Sequence, residues 1–150
     1  NKAMTTGHKL RLSVADILRD KIDLFGGASG SSRAGQGTGP NGDWWRSKDE
    51  LLSNYMFSIV FENASYSNYY TEKITDCFAL GVIPIYWGSP LISDVFNSDG
   101  IIFWGNNFNP DSLTAELYNS KIGPIMDNLE RVRNLQSADD LLFKKIEMFI

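Results

Sequence analysis

The chain has 150 residues, with 14 Lys and Arg, 18 Asp and Glu, one His and one Cys, for a formal charge of −4. That length suits a single domain, and 43% hydrophobic with 13% aromatic residues excludes wholesale disorder. The lone Cys excludes a disulfide framework within the chain, the negative balance argues against a nucleic-acid coat, and no apolar run reaches the ~18 residues of a membrane helix. No signal peptide is visible, so a cytoplasmic location is the expectation. The chain opens on Asn1 rather than Met, which suits a part of something longer.

In chain order, Leu10, Val14, Ile17 and Leu18 repeat at helical spacing, and Ile22–Phe25 alternates like a strand before Gly26-Gly27 stops it. Residues 26–42 hold seven glycines in 17 positions, the composition of a long flexible loop with the character of a lid. Trp44 and Trp45 sit in a polar segment, followed by a short helix over Lys48–Ser53. Tyr55–Phe61 is a mostly apolar strand, and Glu62–Tyr70 a polar, tyrosine-rich loop. Thr71–Leu80 reads as a helix with Thr71 as N-cap, Gly81 as its stop and Ile74, Cys77 and Phe78 on its inner face. Val82–Trp87 is a second strand, in which Pro84 suits an edge or an irregularity. Ile101–Trp104 is a third apolar run. Helices fill the last 40 residues, one with Ile125, Leu129 and Val132 on a face and another, opening near Asp139-Asp140, with Leu142, Ile146 and Phe149. Strands alternating with helices predict an α/β fold, a Rossmann-like parallel sheet flanked by helices, organised as one domain over 1–150. Ligands of such sheets bind outside the carboxyl ends of the strands, which points to the loops at Phe61–Tyr70 and Trp87–Pro90.

Several chemistries are poorly supplied. Gly37–Gly42 fits G-x-G-x-x-G but lacks a strand directly before it and a helix at it, so it reads as a surface loop. One His and one Cys do not make a His/Cys zinc site. Cys77 lies on the apolar face of a helix and reads as a buried inert thiol, and His8 as a surface residue. The concentrated signal is Phe61-Glu62-Asn63, then Tyr70-Thr71-Glu72-Lys73, then Ile83–Pro90. A strand ends at a polar pair, and a tyrosine-rich loop enters a helix whose first turn carries an acid and a base. A helix N-terminus is an anion seat, and Lys73 adds a full charge suited to phosphate. Glu72 suits both ordinary helix stabilisation and the hydroxyls of a ribose or sugar. Tyr66, Tyr69 and Tyr70 suit either stacking on a base or sugar or cover for the core. The same residues also describe a plain half-buried strand–loop–helix unit.

This stretch resembles the donor-binding segment of the α-1,3-fucosyltransferases, glycosyltransferase family 10. Tyr55, Phe61-Glu62-Asn63, Tyr70-Thr71-Glu72-Lys73 and Ile83-Pro84-Ile85-Tyr86-Trp87-Gly88-Ser89-Pro90 match that family's signature, and the last run resembles its bacterial members most. One departure is Tyr69-Tyr70, where many members have Tyr-Val before Thr-Glu-Lys. Tyr69 is therefore the preferred motif tyrosine and Tyr70 the second choice. Arg11, Leu18 and Ile22–Gly26 match a looser upstream pattern, so the resemblance runs from about Lys9 to Trp104.

The resemblance implies the C-terminal half of a GT-B glycosyltransferase that inverts configuration and moves fucose from GDP-fucose to an N-acetylglucosamine-containing glycan. It implies substrate-binding roles for Arg11 and Lys73 on the diphosphate, Glu72 on ribose or donor hydroxyls, and Asn63 with Tyr69 or Tyr70 completing the pocket. No cofactor and no metal are implied. The general base is expected on an N-terminal acceptor domain that 150 residues leave no room for, so this chain alone is expected to turn over poorly. The alternatives are a catalytically incomplete nucleotide-sugar-binding module and a glycosyltransferase with a different nucleotide sugar.

Overall fold

The computed structural model describes residues 5–24 and 44–136, with side chains described at 5–24 and 48–136. The glycine-rich stretch 26–42, Phe25 and the helix expected around Leu142–Phe149 lie outside the described residues. Among the described residues three parallel strands make the sheet, in the order β1 (Phe57–Phe61), β2 (Ile83–Trp87), β3 (Ile102–Phe103). β1 and β2 pair along their whole length, from Phe57 opposite Ile83 to Phe61 opposite Trp87. β3 pairs only Ile102 with Ile85 and Phe103 with Tyr86.

Strand alternation sends successive side chains to opposite faces, and each face has its own apolar cluster. Val60 and Tyr86 join Ile74, Cys77 and Phe78 of α3 (Glu72–Ala79), together with Val82, Ile92, Phe96 and Ile101. Phe61 joins Val14 and Leu18 on the opposite face, with Leu10, Ile59, Trp87, Trp104 and Phe108 around them. The first cluster is covered by α3 and by α6 (Ile122–Arg133), which follows the short α4 (Ile92–Val95) and α5 (Ala115–Ser120), and the second by α1 (Thr6–Ile17). Ile74 and Phe78 are wholly buried, and side chains of that size contribute about 1.5–3 kcal/mol each. The sheet is thus covered on both faces, as the alternating pattern predicts.

Four local expectations are corrected. Ile17 is 73% exposed, because Leu10, Val14 and Leu18 at four-residue steps set the buried stripe and leave it off to one side. No strand runs through Ile22–Leu24. The chain turns after α1, with the Lys21 and Ile22 N–H groups returning to the Leu18 carbonyl, and Asp23 accepts a hydrogen bond from the Tyr55 hydroxyl. The helix expected from Lys48 begins at Trp44 and runs to Leu52 as α2. Pro84 lies in the central strand rather than at an edge. The Ile83 N–H donates to the Met56 carbonyl on the β1 side, so the Pro84 nitrogen faces the other way, where β3 has not yet begun.

α3 forms where expected, with Thr71 accepting from the Lys73 N–H and Gly81 following at φ +71°. Its inner face includes Cys77, whose thiol burial pushes up to about 12, aided by the Asp76 charge. On α6, Ile125 is buried and Leu129 and Val132 are half-buried, but Asn128 is wholly buried among them. Its amide accepts from the Asn97 N–H (2.7 Å) and donates to the Asn97 carbonyl (3.0 Å), holding the turn before β3. Among the described residues no helix is long and apolar enough to cross a membrane.

Candidate functional site

The carboxyl end of β1 is where distant parts of the chain meet. β1 ends at Phe61, and Glu62 and Asn63 follow at the edge where ligands of parallel sheets bind. Two helices arrive there N-terminus first. α1 comes so close that the Gly7 N–H donates to the Asn63 carbonyl at 3.0 Å, and a Cβ at Gly7 would collide with the Glu62 carbonyl. One turn further along α1, Arg11 extends a guanidinium nitrogen to the Phe61 carbonyl (3.1 Å) and the Asn63 side-chain oxygen (2.9 Å). Its Nε is buried without a hydrogen-bond partner among the described residues. Arg11 and Asn63, which are far apart in sequence, therefore occupy one place.

α3 arrives from the other side. At its N-terminus the chain places a carboxylate of its own on the N-cap residue Thr71. The Glu62 carboxylate, with no exposed surface, accepts from the Thr71 N–H (2.9 Å) and the Thr71 hydroxyl (2.8 Å). Lys73 Nζ donates to the Thr71 hydroxyl oxygen at 2.8 Å and lies 3.8 Å from Glu62 and 3.3 Å from Glu72. The ammonium retains partial exposure, so it remains accessible from solvent. Glu72 points outward. Its partial burial raises its carboxyl pKa, but the Lys73 charge and hydrogen bond outweigh that and hold it below the ordinary carboxylate range.

The second loop closes over the same edge. The Glu62 N–H donates to the Trp87 carbonyl at 2.9 Å, and the Ser65 hydroxyl to the Gly88 carbonyl at 2.7 Å. Tyr86 is buried, its hydroxyl accepts from the Ser89 N–H at 3.0 Å, and burial pushes its phenol up to about 12. A Cβ at Gly88 would collide with that hydroxyl and with the Glu62 side chain, so the Tyr-x-Gly spacing is a packing requirement. Tyr69 is half-buried, edge-on to the exposed Tyr66 with ring centres 6.4 Å apart. Tyr70 turns inward against Phe96, with ring centres 5.5 Å apart. Asn63 and Tyr69 on the loop after β1, Glu72 and Lys73 at the start of α3 and Arg11 in the second turn of α1 thus gather around the carboxyl end of β1, while the Tyr70 ring belongs to the core.

Sequence reasoning passed over Glu62, Gly7 and Gly88 as working residues. Glu62 carried a signal, an acid directly after an apolar strand. Gly7 carried none, because close approach to a strand 55 residues later leaves no local pattern. An apolar cavity of about 550 Å³ flanks the site on the α1 face, walled by Leu10, Leu18, Trp87, Trp104 and Phe108.

The chain is similar to known proteins. A family model described as "Glycosyltransferase family 10 (fucosyltransferase) C-term" matches residues 5–119. The Helicobacter pylori "Alpha-(1,3)-fucosyltransferase FucT" is 44% identical over 57 residues, covering 38% of this chain and 12% of that protein. The Drosophila melanogaster "Alpha-(1,3)-fucosyltransferase B" is 36% identical over 97 residues, covering 64% of this chain and 22% of that protein. Among solved structures, an alpha1,3-fucosyltransferase with GDP superposes with a TM-score of 0.60 over 88% of this chain and 45% of that chain. Its 23% identity makes that a likeness of fold. A second alpha1,3-fucosyltransferase structure gives a TM-score of 0.54 at 28% identity, over 87% of this chain and 36% of that one. The chain therefore spans less than half the length of each of these proteins.

Proposed function

This chain belongs to glycosyltransferase family 10, the fucosyltransferase family, and from that premise we propose that it is the donor-binding domain of an inverting fucosyltransferase. The donor is GDP-fucose and the acceptor a glycan containing N-acetylglucosamine. The observation that carries this reading is that, at the carboxyl end of β1, Arg11 of α1 holds Asn63 and Lys73 of α3 lies 3.8 Å from the neighbouring Glu62 carboxylate.

The chemistry follows from charge. As the bond between sugar and diphosphate breaks, negative charge grows on the leaving group. Arg11 and Lys73 are set to stabilise that charge, and a pre-placed donor of this kind contributes about 3 kcal/mol where water is excluded. Because Glu62 engages the N-cap Thr71, the diphosphate is met by the two cationic side chains rather than by the Thr71 N–H. Arg11 is anchored by neutral acceptors and keeps its full charge for the ligand. Glu72, outward and ionised, suits the ribose or sugar hydroxyls, and Tyr69 walls the pocket, with Tyr70 supporting it from the core. The base that deprotonates the acceptor hydroxyl belongs to the acceptor-binding part of the protein.

Calorimetric titration with GDP-fucose, GDP and UDP tests the reading. Saturable binding of GDP-fucose and GDP, weaker or absent with UDP and reduced at least tenfold in Lys73→Ala, is the expected outcome. Equal binding of UDP, or full affinity in the Lys73→Ala chain, would sink it.

A further inference from the structure

Glu62 is the residue that this arrangement leaves without a stated task. It is wholly buried, and a buried carboxylate is costly unless it is paired and hydrogen-bonded. Its partners form a directed chain. The Thr71 hydroxyl has one proton, and at 2.8 Å from Glu62 Oε2 that proton goes to the carboxylate. The lone pairs of the same oxygen are thereby left for a donor, and Lys73 Nζ supplies one at 2.8 Å. From the ammonium through the hydroxyl to the carboxylate, every hydrogen bond runs the same way.

We propose that Glu62, acting through the Thr71 hydroxyl, is a positioning residue for Lys73, fixing its ammonium toward the diphosphate before the ligand arrives. The inference rests on the reading of Lys73 as a diphosphate ligand. Lysine is a point charge on a four-carbon flexible stem, so its usefulness in a site depends on what confines it. Here three features confine it. The hydroxyl accepts from it, the Glu62 charge at 3.8 Å attracts it, and Glu72 holds a second proton at 3.3 Å. An ammonium has three donors, so one remains for phosphate. Glu62 cannot swing away in turn, because its side chain packs where Gly88 and the Tyr86 hydroxyl leave no further room. The support beneath the lysine is therefore rigid, as a binding group's support must be.

The test separates positioning from scaffolding. Glu62→Gln keeps the volume and an acceptor for the Thr71 N–H, but its amide presents donors toward Thr71 and breaks the directed chain. Thr71→Val removes the hydroxyl at similar size, and Thr71→Ser restores it. GDP affinity is measured calorimetrically for each, alone and in a Lys73→Ala background, with thermal melting as the fold control. Glu62→Gln and Thr71→Val are each expected to weaken GDP binding about tenfold, with Thr71→Ser near the unsubstituted value. In the Lys73→Ala background neither substitution should weaken it by more than about twofold, since coupled residues are non-additive.

Equal losses with and without Lys73, or unchanged or tighter GDP binding in Glu62→Gln, would overturn the proposal. Should Glu62→Gln fail to fold, the Thr71→Val and Thr71→Ser pair decides by the same comparison. Failure of the unsubstituted chain to bind GDP would instead remove the reading of the site beneath it, and the proposal with it.

Discussion

α1 and α3 reach the end of β1 from opposite sides and each delivers a cation, but they are seated differently. α1 is docked by neutral contacts. Its Gly7 N–H meets a carbonyl, and Arg11 is held by a carbonyl and an amide oxygen. α3 is docked by charge, with the buried Glu62 carboxylate on its N-cap Thr71 and Lys73 beside it. The lesson is that two cationic side chains at one end of a strand can be held by two kinds of support. Shape holds Arg11, so its seat is sensitive to sterics. Electrostatics hold Lys73, so its seat is sensitive to charge.

The largest expected effect breaks the shape-held side. Gly7→Ala forces a methyl into the Glu62 backbone, which has little freedom to yield, and should destabilise the fold by about 3 kcal/mol in chemical denaturation. Gly88→Ala meets the Tyr86 hydroxyl and the Glu62 side chain, a less severe overlap than the one with backbone at Gly7, so about 2 kcal/mol is expected in the same measurement. Values below ~0.5 kcal/mol for both would mean that neither close approach matters to the fold.

The next prediction concerns ligand affinity. One guanidinium nitrogen of Arg11 serves both the Phe61 carbonyl and Asn63, a span that an ammonium on a shorter stem does not reproduce. Arg11→Lys should therefore weaken GDP binding about tenfold despite keeping the charge. Unchanged affinity in a titration would show that charge alone serves on that side.

The smallest prediction sharpens the charge-held side. Glu72 has a folded-state pKa below its unfolded value, with partial burial opposing and the Lys73 interaction prevailing. Its contribution is therefore fully present above the unfolded carboxylate pKa and is lost as pH falls through the depressed folded value. The side chain is about half exposed, so the contribution at neutral pH is expected to be no more than about 0.5 kcal/mol. Glu72→Gln should lower stability at neutral pH by that amount, and the difference should close on acidification. A difference that persists undiminished in acid would show that it does not come from the carboxylate charge.

Much of this was readable because it is local. The helix at Thr71–Leu80, its cap, its inner face and the two flanking strands obey short-range rules of capping and alternation. Failures came where a distant partner decided the outcome. Ile22–Leu24 alternates like a strand, yet turns and ties back through Asp23 to Tyr55. Pro84 looks like an edge residue, yet the late start of β3 makes room for it in the middle. Asn128 interrupts an apolar helix face and is buried because both polar groups of its amide find the Asn97 backbone.

The sequence alone determined the α/β class, the strand–loop–helix unit from Tyr55 to Pro90, the family, and the list of candidate ligand-binding residues. Each of these rests on spacing within a few turns or on a contiguous motif. Only the tertiary structure decided that Arg11 meets Asn63, that Glu62 binds the N-cap Thr71 of α3, and that Tyr70 packs on the core while Tyr69 pairs with the exposed Tyr66. The physical reason is common to all three. Burial and hydrogen-bond partnership depend on which segments the sheet brings together, and periodicity along the chain carries no record of that.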